Sequence, residues 1–263
     1  MSYLDWLLAI SVAFVLLERL RPARHVRGPW RPQLANDLFY LFFHGTLYFA
    51  WFGWLIEDVA TWARGGLDGI GLLPEQGILT GTPFALQFVV YALVSDFLQW
   101  NVHRLLHGVP FLWQFHKVHH SIHRMDWAGN FRFHWVEVIV YRSLLYVPLL
   151  WLGGDAAPLF AVIVVATAWG HFNHSNLDVS LGPLARVFNS PRMHLWHHDA
   201  SDEGGTAKNF GIVFSLWDFL FGTAYWPRER PPERIGYPGD GEMPADLPRQ
   251  LVFPLLPRTS RGA

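Results

Sequence analysis

The chain has 263 residues, of which 51% are hydrophobic and 16% charged, with 14 Trp, 21 Phe and 8 Tyr and a mean hydropathy of +0.17. Soluble domains carry about 25% charge, so this chain is short of polar surface, and a formal net charge of −1 leaves no basic footprint for nucleic acid. Cysteine is absent, which excludes disulfides, thiolate metal ligands and iron–sulfur clusters.

The first apolar run is Leu7 to Leu17. Met1 to Trp6 include Asp5 and no Lys or Arg, so the basic start of a secretory signal is missing. Glu18 and Arg19 close the run, and a basic loop follows with Arg19, Arg21, Arg24, Arg27 and Arg31. The second run spans roughly Asp37 to Leu55 and leads into a glycine-rich loop, 57–82. The third, roughly Pro83 to Val102, runs straight into His103, and a polar stretch then extends to about Arg132. The fourth, Val136 to Leu152, contains Glu137 and Arg142; Gly153-Gly154-Asp155 makes a tight turn, and Ala156 to Trp169 is the fifth. From Tyr225 the chain is rich in Pro, Arg and Glu without apolar periodicity, and is expected to be irregular and on the surface.

A bilayer takes about 20 apolar residues per crossing. The expected fold is therefore all-α: a multi-pass transmembrane bundle of about four to five membrane-embedded helices, capped by a helical region. Runs four and five are short, and their tight turn suits either two full spans or a hairpin that crosses only partly. Lys and Arg in short loops set orientation. With loop 19–36 cytoplasmic, residues 103–135 and 171–263 fall on the same side, and Arg64 is the one basic residue left on the outer loop.

Three histidine clusters carry the chemistry. His103 and His107 are spaced i, i+4, while His116, His119 and His120, and again His194, His197 and His198, are spaced i, i+3, i+4. On a helix these offsets bring side chains to neighbouring positions on one face. Imidazole suits Zn, Cu, Fe and Ni. Eight imidazoles are too many for one tetrahedral zinc but suit a pair of metal ions. His174 is expected to add a ninth donor. His171, His123 and His134 lie near in sequence without a clear assignment, His25 is assigned nothing, and His44 reads as a core or cavity histidine. A zinc protease needs His-Glu-x-x-His; here Arg-Leu-Leu separates His103 from His107. Haem needs one or two axial histidines and leaves the rest unexplained.

Ligating imidazoles usually donate their other N–H to a carboxylate or carbonyl. Asp96, Asp126, Asp199, Glu137 and Asn209 are the candidates near in sequence, and Glu137 and Arg142 are also candidates to pair with each other. Tyr91, Phe97, Trp100, Trp113, Trp135, Trp169 and Trp196 flank the clusters as packing or as walls of an apolar slot. Trp217, Leu220 and Phe221 read as an anchor at the membrane surface.

The order and spacing of these clusters resemble the three histidine boxes of the fatty acid hydroxylase/sterol desaturase superfamily of integral-membrane di-iron enzymes. The further segments DFLQWNVHRLLH (96–107), FHKVHHS (115–121), FNHSN (172–176) and NFGIVFSLWDFLFGT (209–223) carry the likeness over about residues 85–225. The resemblance implies two iron ions, O2, a lipid-like substrate such as a sterol, fatty acyl chain, ether lipid or carotenoid, and hydroxylation at an unactivated C–H bond. It implies as metal ligands His103, His107, His116, His119, His120, His174, His194, His197 and His198, on the cytoplasmic face of the membrane. Some members carry a fused cytochrome b5-like domain, for which this chain has no spare length. Electrons are then expected from a separate cytochrome b5-, ferredoxin- or flavoprotein-type donor. The expected organisation is 1–82, N-terminal transmembrane helices and basic loop; 83–225, a hydroxylase-like catalytic domain; and 226–263, an irregular tail, together one structural unit. A desaturase with the same irons is the nearest alternative. A non-enzymatic metal transporter or sensor is the rival of another class, with sites expected at the bilayer midplane and repeat symmetry between halves.

Overall fold

The computed structural model describes residues 1–24, 31–47, 77–201, 208–227 and 231–255, with 61–62, 65–66 and 69. Among these every regular element is helical, as expected. The expectations for His25 and Arg27, for the second apolar run beyond 47, for most of the glycine-rich loop with Arg64, and for 256–263 lie outside the described residues.

Helix α1 (Tyr3–Leu20) starts at a capping box in which the Ser2 side chain accepts from the Asp5 amide and the Asp5 carboxylate accepts from the Ser2 amide. Helix α2 (Leu34–Phe42) continues into a π-helical turn, Phe43–Leu47. Helix α3 (Phe84–Gly108) is followed at once by α4 (Pro110–His120), whose first-turn proline has no N–H to leave unpaired. After a 3-10 turn, Trp127–Phe131, come α5 (Trp135–Leu152) and α6 (Ala156–His174). Gly153 between them takes φ +50 and packs against Gly77, leaving no room for a Cβ. The short helices α7 (Pro191–His197), α8 (Leu216–Leu220) and α9 (Leu247–Val252) complete the fold.

Polar contacts fix the directions of the long helices. Tyr3 meets Thr167, Ser11 meets His171, and Glu18 accepts from the Asn176 amide, so α1 and α6 run the same way. Gln87, near the start of α3, exchanges two hydrogen bonds with Asp155, at the start of α6, so these also run in parallel. Helix α5 runs against them, with the Leu152 carbonyl accepting from Leu79 at one end and the Tyr141 hydroxyl donating to Gln99 further along. The far end of the bundle packs apolar residues, Leu79, Tyr91, Leu149 and Val162. The near end receives the C-termini of α1, α3 and α6 and the N-terminus of α5, and buries polar side chains, histidines above all.

The outer surface is apolar. Leu8, Val12 and Leu16 of α1, Phe84 and Val89 of α3, Trp151 of α5 and Val165 of α6 face outward. Among the described residues one helix, α6, is long and apolar enough to cross a membrane. Gln87, Asp96, Gln99 and Asn101 dilute the apolar run of α3, and α1 carries Asp5, Glu18 and Arg19.

Two features were not anticipated. Asp37 of α2 pairs with both Arg31 and Arg132, and Arg31 also pairs with Asp126, which fastens α2 and the basic loop to the turn at 127–131. The tail expected to be irregular over 226–263 instead carries a 3-10 turn and α9, and buries Ile235, Tyr237 and Gln250. Its few apolar side chains are spread without periodicity, so no pattern betrays them, but Ile235 and Tyr237 are buried beside the histidine-bearing end.

Candidate metal centre

The nine histidines form two groups. His103, His107, His116, His120 and His197 make the first, and His119, His174, His194 and His198 the second; within each, one ring nitrogen from every histidine lies within 4.8 Å of the others. Helix geometry explains the division. At 3.6 residues per turn, positions i and i+4 are about 40° apart, while i+3 falls about 60° to the other side. So His116 and His120 share the first group while His119 turns to the second; His194 and His198 share the second while His197 turns to the first. The two His-x-x-His-His segments, on α4 and at the end of α7, thus exchange one donor each. The groups are adjacent, with His120 stacked on His198 at 4.4 Å between centroids.

Five of the nine are held from behind through Nδ1. His103 donates to the Phe210 carbonyl (2.9 Å), His119 to Arg132 (3.3 Å), His174 to Gly170 (2.8 Å) and His197 to Lys208 (2.7 Å). His116 meets the Glu137 carboxylate at 2.7 Å. A carbonyl only accepts, so in the four rings held by carbonyls Nδ1 carries the proton and Nε2 is a lone pair. The lone pairs of His119 and His174 nevertheless face each other at 3.3 Å, and the Nε2 atoms of His103 and His116 lie 3.2 Å apart. Two lone pairs at that distance repel unless a cation sits between them. In addition, both nitrogens of His120, Nε2 of His107 and His197, and Nδ1 of His194 and His198 are buried without a hydrogen-bond partner. Buried polar groups are rarely left so. An all-imidazole set with lone pairs turned inward fits borderline transition metals, iron among them.

Burial, and after it the neighbouring imidazoles, hold His116, His119, His120, His194, His197 and His198 well below the ordinary histidine range. They are neutral at physiological pH, the form that binds metal.

The remaining histidines belong to neither group. His123 is half exposed and paired with Asp240; His134 donates to the Leu251 carbonyl; His44 meets the Phe133 carbonyl. His171 sits between α1 and α6 with Ser11, Thr167 and Asn130 around its ring nitrogens.

Of the candidate second partners, Glu137 alone touches an imidazole of the two groups, and it does so rather than pairing with Arg142. Asp199 is bound to Ser201 and Asp126 to Arg31. Asp96 accepts from the Val213 and Phe214 amides and from Trp217, which draws Trp217 inward while Leu220 and Phe221 stay exposed. Asn209, at φ +54, bonds to Met193 and Tyr225. Asp96 and Asn209 act one step further out by shaping the loop whose Phe210 and Lys208 carbonyls hold His103 and His197. Backbone carbonyls leave no mark in a sequence, and these four were missed for that reason. Among the flanking aromatics Trp113 packs on His107 (4.8 Å between centroids), while Phe133 and Phe210, not singled out from sequence, lie on His119 and His103. Trp100, Trp135, Trp169 and Trp196 serve packing, the first three also donating to Asp218, Leu251 and Asn189.

Asp218 is the keystone of the 208–223 loop. It accepts from Trp100, Thr223 and the amides of Phe210 and Gly211. Asp218→Asn strands at least one of these buried donors and is expected to destabilise the protein by about 1–3 kcal/mol. Thermal unfolding in detergent measures the loss.

A fatty acid hydroxylase family model matches residues 88–223, which include all nine histidines. Ornithine lipid hydroxylase OlsE of Rhizobium tropici is 36% identical over 159 residues, covering 60% of this chain and 47% of the relative. A very-long-chain aldehyde decarbonylase of Oryza sativa subsp. japonica is 30% identical over 156 residues (56% and 51%). The alkylglycerol monooxygenase of Caenorhabditis elegans is 27% identical over 149 residues (54% and 28%). The chain thus spans about half the length, or less, of these relatives. No solved structure matches it.

Proposed function

Because the chain belongs to the fatty acid hydroxylase family, we propose that it is a membrane-bound, iron-dependent oxygenase that hydroxylates a C–H bond of a lipid. The observation that carries this is the convergence of nine buried imidazoles into two adjacent groups with unpartnered nitrogens turned inward. The proposed ligands are those nine, five to one iron and four to the other. When bound, the two irons supply the redox chemistry that activates O2. The protein fixes five of the rings through Nδ1 and excludes water, since all nine are buried or nearly so.

The overall reaction inserts one oxygen atom. A C–H bond and O2, with two electrons and two protons from outside, give an alcohol and water. The electrons come from a separate redox protein. An ornithine lipid hydroxylase and an alkylglycerol monooxygenase among the relatives favour insertion over desaturation and a polar-headed lipid as the substrate class. The outward apolar faces of α1, α3, α5 and α6 support a multi-pass bundle in lipid. The Lys and Arg bias supports placing the histidine-bearing end on the cytoplasmic side. That end position, beyond the apolar core of the bundle, speaks against a transporter, whose sites belong at mid-membrane. The test is turnover of membrane lipids under isotopically labelled O2: label is expected in a new hydroxyl group of the lipid. A new double bond without label points to desaturation, and an unchanged lipid pool overturns the reading.

Acid should unload the centre. Folded-state values below the unfolded value of about 6.5 mean that the unfolded chain takes up more protons as pH falls through that point. The stability contributed by these neutral imidazoles is complete above about pH 6.5 and is lost progressively below it. Protons also compete with metal at each ring. Iron retention is expected to be full at about pH 8 and to fall at about pH 5, measured after desalting; equal retention at both contradicts histidine ligation.

A further inference from the structure

The family match ends at residue 223, yet the chain beyond it is built into the histidine-bearing end. Asp199 and Ile235 form an antiparallel bridge, flanked by hydrogen bonds from the Ala200 amide to the Arg234 carbonyl (2.9 Å) and from the Gly236 amide to the His198 carbonyl (2.8 Å). The bridge therefore grips the backbone of His198 itself, one of the four imidazoles of the second group, whose ring has no hydrogen bond through Nδ1. The next residue, Tyr237, is buried against Trp113, which packs on His107 and His120 of the first group. Further on, Asp240 pairs with His123 just past α4, Ala245 accepts from Asn36 on α2, and the Leu251 carbonyl accepts from both His134 and Trp135 at the start of α5.

We infer that residues 231–255 are a belt that positions the metal centre, with the bridge at 234–236 setting the backbone of His198. This rests on the metal-centre part of the function proposed above. The reason is mechanical. Rings held through Nδ1 are oriented by that bond, whereas no hydrogen bond holds His198 through Nδ1, so its place depends on its backbone and on the rings packed around it. Beyond the end of α7 that backbone has as its partners the helix itself, through His194 and Trp196, and the belt. Gly236 is required where it stands: φ is +137, and a Cβ would strike the Asp240 carboxylate.

Linkage supplies a test that needs no variant. If the belt favours metal binding, metal must stabilise the belt by the same factor. Hydrogen exchange of the full-length protein, metal-stripped and then loaded with redox-stable Co(II), is expected to show protection of the Gly236 and Ala200 amides rising about tenfold or more on loading. Gly236→Ala is expected to weaken the binding of one Co(II) of the pair by about tenfold or more, the range for loss of an outer partner, leaving the other unchanged. Arg249→Ala, which removes an exposed side chain paired with Asp246, should change neither. Exchange at 236 and 200 that ignores the metal overturns the belt, as does a folded Gly236→Ala protein that binds both ions normally. If Gly236→Ala does not fold, the exchange result on the native chain decides. A native chain that takes up no pair of ions refutes the underlying metal centre instead.

Discussion

Replacing His120 with alanine is expected to abolish iron-dependent turnover and to strip the protein of at least one metal ion. Both ring nitrogens of His120 are buried without a partner, and the ring packs at 4.8 Å or less from His107, His116, His197 and His198. It therefore stands where the two groups touch, and nothing else among the described residues uses its nitrogens. Loss of an outer partner of a metal ligand costs about 10–100-fold in affinity or activity, so loss of the ligand itself should exceed about 100-fold. His171→Ala is the matched comparison. That ring is equally buried, but Ser11, Thr167 and Asn130 account for its nitrogens. Its loss should lower stability through the α1–α6 contact and leave iron content intact. Iron analysis and labelled-product formation on the two variants, with helicity checked in both, separate a ligand from a packing histidine.

Glu137→Gln is expected to move two quantities in opposite directions. In the native chain Glu137 Oε1 meets His116 Nδ1 at 2.7 Å, while Oε2 is buried without a partner. A buried carboxyl so placed either carries a poorly compensated charge or takes up a proton that the unfolded chain would not hold at neutral pH, and either costs stability in the metal-free protein. A metal cation behind the imidazole supplies the missing compensation. Glutamine keeps the shape and an acceptor but removes the charge. The metal-free variant should therefore melt higher than the metal-free native chain, while metal affinity at the group containing His116 falls about 10–100-fold. Calorimetry of the stripped proteins and Co(II) titration of each measure the two changes. A residue that merely packs would lower both or neither.

How far the sequence spoke differs from part to part. The i, i+4 and i+3 offsets placed the histidines correctly on helices because those offsets are a property of the helix and need no tertiary knowledge. The interleaving, with His119 leaving its own segment for the group of His194 and His198, was not legible: it depends on the fold bringing the rings of α4 against those at the end of α7. The four carbonyls behind His103, His119, His174 and His197 were invisible for the reason that every residue has one. Glu137 could be nominated because a carboxylate in an apolar run is conspicuous, but Arg142, its neighbour in the same run, looked an equally good partner. The ion network of Asp37, Arg31 and Arg132 joins residues about a hundred positions apart and reads in sequence only as scattered charge. The tail failed in the other direction. Its polar composition suggested an irregular surface strand, whereas Ile235 and Tyr237 are enough to seat it against the centre.

Nine nitrogen donors should hold two metal ions side by side. Iron quantification together with X-ray absorption on the protein purified under iron-replete conditions decides this. Close to two irons per chain, in a first shell dominated by imidazole nitrogen and with a metal–metal vector, is the expected result. One iron or none per chain, or a single zinc with no second metal nearby, contradicts it.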